Sequence, residues 1–178
     1  NEPLRNIAYL CHTNTYYTPC TSQQPVITNH LKEEIKGEIG GVVSACFSAL
    51  VEDLEKKNYD VNANYEDFEI DFYSQEVELN ILGSLSYEKG DERKTANDFE
   101  ISVPTRFYEL VKLAQEIASH EAKYCYFERV GHMIYYPEIE IEPPFILDDT
   151  KIYTLRHEKT KEAFRFAIRS CAIPEGLF

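Results

Sequence analysis

A change of hydrophobic period near residue 58 narrows the fold more than any other feature of this chain. Beyond it, Phe68, Ile70 and Phe72 alternate with Glu69 and Asp71. Val77, Leu79, Ile81, Gly83, Leu85 and Tyr87 then alternate with Glu76, Glu78, Asn80 and Ser84. After a turn at Lys89-Gly90-Asp91-Glu92, Phe99, Ile101 and Val103 alternate with Asp98, Glu100 and Ser102. Successive strand side chains point to opposite faces, so this pattern predicts a three-stranded antiparallel meander with one wet face. Its dry face needs a helix. The stretch before residue 58 offers one: Leu31, Ile35, Ile39, Val42, Cys46, Leu50 and Leu54 recur at steps of three and four. Thr28 or Asn29 caps its start, Glu33, Glu34, Lys36, Glu52, Glu55 and Lys56 take the solvent side, and the end is expected near Asn58. Each glycine of Gly40-Gly41 costs this helix about 1 kcal/mol relative to Ala, and permits a close crossing or a kink.

After the meander, Pro104 suits the first turn of a second helix, with Phe107, Leu110, Val111, Ala114, Ile117 and Ala118 as its stripe, running to about Ala122. A strand is expected from Met133 to Ile141, ended by Pro143-Pro144. Ile152 to Leu155 and Phe164 to Ile168 read as a hairpin across the polar turn His157–Glu162. The 13 Tyr and 10 Phe, with no Trp, favour such a sheet-rich core. The expected fold class is α+β: a long N-terminal helix and a second helix packed on a mainly antiparallel sheet, the meander plus the C-terminal hairpin. Residues 1–25, broken by Pro19 and Pro25, read as an extended arm or loop, and 26–178 as a single α+β domain.

A net charge of −13 and the lack of any Lys/Arg cluster argue against nucleic acid as a partner. No run approaches the roughly 18 apolar residues of a spanning helix, so no membrane anchor is expected within this chain. Cys11, Cys20, Cys46, Cys125 and Cys171 form no CxxC pair and match no zinc spacing. Cys11 and Cys20 share a loop-like stretch and are the candidate disulfide, whereas Cys46 is expected to be packed in the core. Glu138, Glu140 and Glu142 line one face of the expected strand, and three carboxylates can hold a hard cation. A solvated strand face looks the same and is the commoner case. Glu69 with Asp71, and Glu76 with Glu78, are pairs that could do general acid–base work in differing environments, but they are expected on wet strand faces. His12, His30, His120, His132 and His157 form no HxH or HExxH pair and are expected on surfaces or turns. There is no GxGxxG, GKS/T or GxSxG. Neither an enzyme nor a metal or cofactor site is expected. For recognition, Tyr9, Tyr16, Tyr17, Tyr135 and Tyr136 are the candidate interface residues, because Tyr joins a large apolar area to one hydroxyl.

Three stretches carry a resemblance: LKEEIKGEIGGVVSACFSAL at 31–50, NDFEISVPTRFYELVKLAQEIASHEAK at 97–123, and FRFAIRS at 164–170. In order and character the chain resembles uncharacterised archaeal envelope proteins with a pilin-like hydrophobic N-terminal segment and an extracytoplasmic α+β domain. The hydrophobic segment has no counterpart here. The resemblance implies a location at the cell surface and a structural or interaction role, with copies of itself or another envelope protein as partners. A subunit of a surface filament, assembling through the N-terminal arm, is the expected form of that role. A module that binds a small ligand or a peptide is the alternative.

Overall fold

The computed structural model describes residues 7–173. In chain order the elements are β1 (Tyr9–His12), β2 (Thr21–Ser22), α1 (Ile27–Lys56), β3 (Asp60–Phe72), β4 (Glu76–Lys89), β5 (Glu92–Pro104), α2 (Phe107–Tyr124), α3 (Arg129–Tyr135), β6 (Ile139–Ile141), β7 (Phe145–Leu147), β8 (Thr150–His157) and β9 (Ala163–Arg169). This is an α+β fold with a long first helix and a meander, as the periods predict. Residues 26–178, read from the sequence as one domain, divide between two compact units. Thr28–Pro104 forms one; the N-terminal residues up to Ile27 form the other together with Thr105 onward.

In the central unit, β3, β4 and β5 pair antiparallel in that order. The two-residue turn between β4 and β5 uses Gly90 at φ 64°, a left-handed conformation that glycine adopts without steric cost. Gly83 has a different reason. A Cβ there would lie 2.5 Å from the Asn64 carbonyl oxygen, where the register of β3 against β4 shifts between Tyr65 and Asp67. Phe47 of α1 packs with Phe68, Ile70 and Ile81 of the sheet, and Ile35, Ile39, Val43 and Val51 surround them. Burying one such side chain contributes about 2 kcal/mol. A Cβ added at Gly40 would lie at an ordinary 3.8 Å from the Phe68 ring and one at Gly41 would meet nothing, so the expected close crossing is not made at the glycine pair. Lys32 and Lys36 tie the helix to β3 through Asp71 (2.8 Å) and Asp67 (2.6 Å).

The stripe of α1 follows its expected position through Ile35 and Ile39 and departs from it beyond them. The sheet covers Ile35, Ile39, Val43, Phe47 and Val51, and leaves Val42, Cys46 and Leu50 exposed. Cys46 is therefore a surface thiol and not a core residue. The cause is that Phe47, the largest apolar side chain in this half of the helix, takes the core and rotates its neighbours outward. Ile101 and Val103, expected on the dry face, are exposed on the edge strand β5.

The other unit is built on a six-stranded sheet of order β2-β1-β9-β8-β6, with β7 on the same edge of β8 as β6. The hairpin β8–β9 lies where the pattern placed it. Within the stretch expected as an arm, β1 runs parallel to β9 and β2 antiparallel to β1. Leu110, Val111, Ala114, Ile117 and Ala118 of α2 are buried, as are Leu155, Phe166 and Ile168 of the sheet. Glu162, in the β8–β9 connection, accepts hydrogen bonds from the Thr105 hydroxyl and the Arg106 N–H at the start of α2. Burial pushes its carboxyl up, but these bonds and that from Thr160 outweigh it and hold the pKa below the usual value.

Met133 to Ile141, expected as a strand, is the helix α3 followed by the short β6. Three local contacts make the helix. The Glu128 carboxylate caps it by accepting from the Val130 and Gly131 N–H groups at 3.1 and 3.3 Å. Met133 Sδ accepts from the Ile141 N–H, and Arg129 donates to the Ile141 carbonyl, which clips α3 onto β6.

Candidate functional site

The C-terminal end of α2 carries the densest polar chemistry of the chain, all of it within the unit that holds the six-stranded sheet. Glu121 is fully buried on the face of α2 turned to the sheet. Lys151 and Tyr153 alternate onto that same face of β8. The Lys151 ammonium donates to both Glu121 oxygens, at 2.9 and 2.8 Å, and to the Cys125 carbonyl at 2.8 Å. The Tyr153 hydroxyl donates to Glu121 Oε1 at 2.5 Å. Burial, and then the hydrogen bond to a carboxylate, raise the Tyr153 pKa far above the ordinary phenol value, so the hydroxyl keeps its proton. Ser170 completes the network: its hydroxyl donates to the Glu121 carbonyl at 2.9 Å and accepts from the Cys20 N–H at 3.1 Å.

Two disulfides frame this cluster. Cys11–Cys20, the pairing expected from the sequence, closes the loop that carries Tyr16 and Tyr17. Cys125–Cys171, absent from the sequence reading, joins the end of α2 to the segment after β9. Both of its half-cystines have positive φ, 59° and 47°. Cys125 ends α2 in the left-handed conformation where glycine is usual, and its N–H bonds the Glu121 carbonyl. The loop of the first disulfide meets the same segment, through Tyr17 N–H to the Ala172 carbonyl and Cys171 N–H to the Thr18 carbonyl. The two bridges suit an oxidising, extracytoplasmic setting. No helix among the described residues is long and apolar enough to cross a membrane.

Above this braced end lies an aromatic surface. Tyr124, Tyr126, Val130, Ile134, Tyr135 and Tyr136 are all exposed, Ile134 at 73% and Tyr135 at 82%. Among them the rings of His120, Phe127, His132 and Tyr136 follow one another at centroid distances of 5.5, 5.6 and 4.7 Å. Tyr135 and Tyr136 of the expected interface belong to this surface. Tyr9, Tyr16 and Tyr17 lie elsewhere: Tyr9 bonds the Thr150 hydroxyl at 3.0 Å, and Tyr16 sits under the Arg169 guanidinium. Sequence reasoning missed Tyr124, Tyr126 and Ile134, although their clustering near Tyr135-Tyr136 was visible as composition.

The acidic candidates are spread among cations. Glu138 pairs with Lys159 and Glu142 with Arg156, so the expected row of three carboxylates does not converge. Among the described residues no group of three or more His, Cys, Asp or Glu is placed to hold a metal ion. His157, expected on a turn surface, is buried, with Nδ1 accepting from the Thr160 N–H at 3.2 Å; the turn folds over it.

Acid should loosen α3 in two steps. Burial lowers the His132 pKa from 6.5, so the folded state resists its protonation. Stability is complete above that value and falls as pH drops toward the lower folded one. The Tyr126 hydroxyl, then the backbone N–H groups, hold Glu128 below 4.5, so its cap is lost at still lower pH. Amide protection factors across Arg129–Tyr135, taken relative to the intrinsic rate at each pH, should fall in these two ranges in turn. Protection factors that stay constant from neutral pH through both would refute the assignment.

Compared with known families, curated proteins and solved structures, the chain matches no family model, no curated protein and no solved structure.

Proposed function

We propose that this chain is an extracytoplasmic interaction domain, a structural component of a cell envelope, which docks a neighbouring protein through the aromatic surface at α3 and the end of α2. The observation that carries the reading is the exposure of Ile134 and Tyr135 on a helix capped by Glu128 and clipped to β6, next to the disulfide-braced end of α2. Large exposed rings on a monomer's surface mark a contact site. The paired cysteines and the resemblance to envelope proteins agree on the setting. Two neighbouring clefts in the same unit, of about 260 and 300 Å³, share Ile152 and hold one aromatic ring each, Phe145 or Tyr9. They are open troughs, which ranks a protein partner above a small ligand.

The test is the particle size of the protein in its native extract, compared with the variant Ile134→Ser/Tyr135→Ser. Wild type should migrate in a particle well above its own 20.7 kDa. The variant should be released from that particle as units of no more than two chains, with an unchanged thermal melt. Electron microscopy of the same particles separates a filament from a discrete complex. A wild-type protein already no larger than two chains, or a variant that stays in the larger particle, refutes the surface.

A further inference from the structure

From Ile39 to Val51, thirteen consecutive residues of α1 carry no charge, in a chain with 31 acidic residues. A helix that is apolar all round is normally covered all round. Here the sheet covers one side only. On the other, Val42, Ala45, Cys46, Ala49 and Leu50 are exposed at helical spacing, Val42 at 69% and Leu50 at 42%. Gly41, on the margin of this face, would meet nothing if it bore a Cβ. The four other cysteines are paired, so Cys46 holds the odd thiol and stands in the middle of this band.

We propose that a second copy of the chain covers this face: two α1 helices pack antiparallel over Ile39–Val51 and are joined by a Cys46–Cys46 disulfide. Like charge repels two copies of so acidic a chain except where charge is missing, and this band is such a place. With Ala45 set against Cys46 of the other copy, Glu34 falls opposite Lys57 at both ends of the seam. Asp53, which falls opposite Glu38, already holds the Lys57 ammonium at 2.6 Å. The antiparallel arrangement also opposes the helix dipoles. The area explains why a covalent bond is needed. Thirteen helical residues span about 20 Å by a helix width of about 10 Å, roughly a quarter of the ~800 Å² per partner that a stable non-covalent dimer buries. Two Cys46 thiols exchange with one small-molecule disulfide such as oxidised glutathione. The protein disulfide forms, the small S–S bond breaks, and its two sulfurs leave as thiols carrying the two protons. The pairing uses a surface separate from α3.

The test incubates the full chain, with its two internal disulfides intact, with oxidised glutathione, then blocks thiols and separates species by non-reducing mass analysis. Wild type should accumulate a dimer linked at Cys46, and Cys46→Ser should remain a monomer. Val42→Glu keeps the thiol but places a carboxylate on the seam of each copy, and should slow dimer formation by about tenfold or more. Cys46→Ser/Ser48→Cys moves the thiol around the helix and should also form dimer more slowly. Both changes are at exposed positions, and far-ultraviolet circular dichroism checks that folding is unchanged. Crosslinking of either variant at the wild-type rate would show chance collision of thiols and overturn the proposal. So would a wild-type protein that stops at the mixed disulfide with glutathione. Ile134→Ser/Tyr135→Ser should dimerise like wild type, which keeps this result distinct from the fate of the α3 surface.

Discussion

Lys151→Met should destabilise the unit that holds the six-stranded sheet by about 3–5 kcal/mol, toward the lower end because Lys151 is itself partly exposed. The substitution leaves an aliphatic stem of similar length, so little packing is lost. What remains is the Glu121 carboxylate, fully buried, with three side-chain hydrogen bonds reduced to the one from Tyr153. An unpaired charge in that position is far more costly than the pair was favourable. The double variant Lys151→Met/Glu121→Leu therefore should recover most of the loss, since an apolar replacement of a buried pair is close to neutral. Urea unfolding followed by circular dichroism, with the disulfides intact, measures both. A single variant within about 0.5 kcal/mol of wild type would mean that the network carries no weight in folding, because changes of that size are usual for neutral surface positions.

The second large effect belongs to Cys125–Cys171. It spans 46 residues, and in the chain-entropy account removing a link over such a loop costs about 4 kcal/mol, against about 3 kcal/mol for the 9-residue separation of Cys11–Cys20. The backbone adds a distinguishing detail. Alanine at both positions would keep a Cβ at φ 59° and 47°, a conformation that costs about 1 kcal/mol or more per residue for anything but glycine. The pair Cys125→Gly/Cys171→Gly should thus melt above Cys125→Ala/Cys171→Ala, although glycine loses more entropy on folding. The reverse order would show that the cross-link does not hold these residues against their preference. Loss of the bridge should also free the end of α2 under Tyr124 and Tyr126 and raise amide exchange there before the rest of the sheet responds.

The elements legible in the sequence were those long enough to show a period. The meander, the hairpin β8–β9 and the bodies of α1 and α2 each repeat an alternation or a stripe over several turns or pairs. The face of α1 was not legible, because Ile39–Val51 lacks charges on every side. It offers two stripes, through Val42, Cys46 and Leu50 or through Val43, Phe47 and Val51, and only the sheet decides between them. α3 was hidden because Ile134, Tyr135 and Tyr136 favour strands. Its seven residues are helical through the Glu128 cap and the clip to Ile141, neither of which is a periodic signal. β1 and β7 are too short to alternate visibly. Of the candidate site, the Tyr135-Tyr136 pair could be read directly. Glu121, Lys151 and Tyr153 could not, since they lie 30 and 32 residues apart in sequence and meet only when α2 lies on β8. Five cysteines fix no connectivity, so Cys125–Cys171 had to come from the turns that place it.

The parallel pairing of β1 with β9 also sets a timetable. Residues 28–104 are one uninterrupted stretch and can fold as soon as they leave the ribosome. The unit around them cannot, because its first strand waits for its last. Until Ala163–Arg169 is made, Leu10 and Cys11 have no neighbour on that side. A chain halted before β9 therefore exposes an unpaired sheet edge while Cys125 still lacks its partner Cys171. The insert can therefore be finished while the sheet around it is still open, and that sheet closes only when β9 is added.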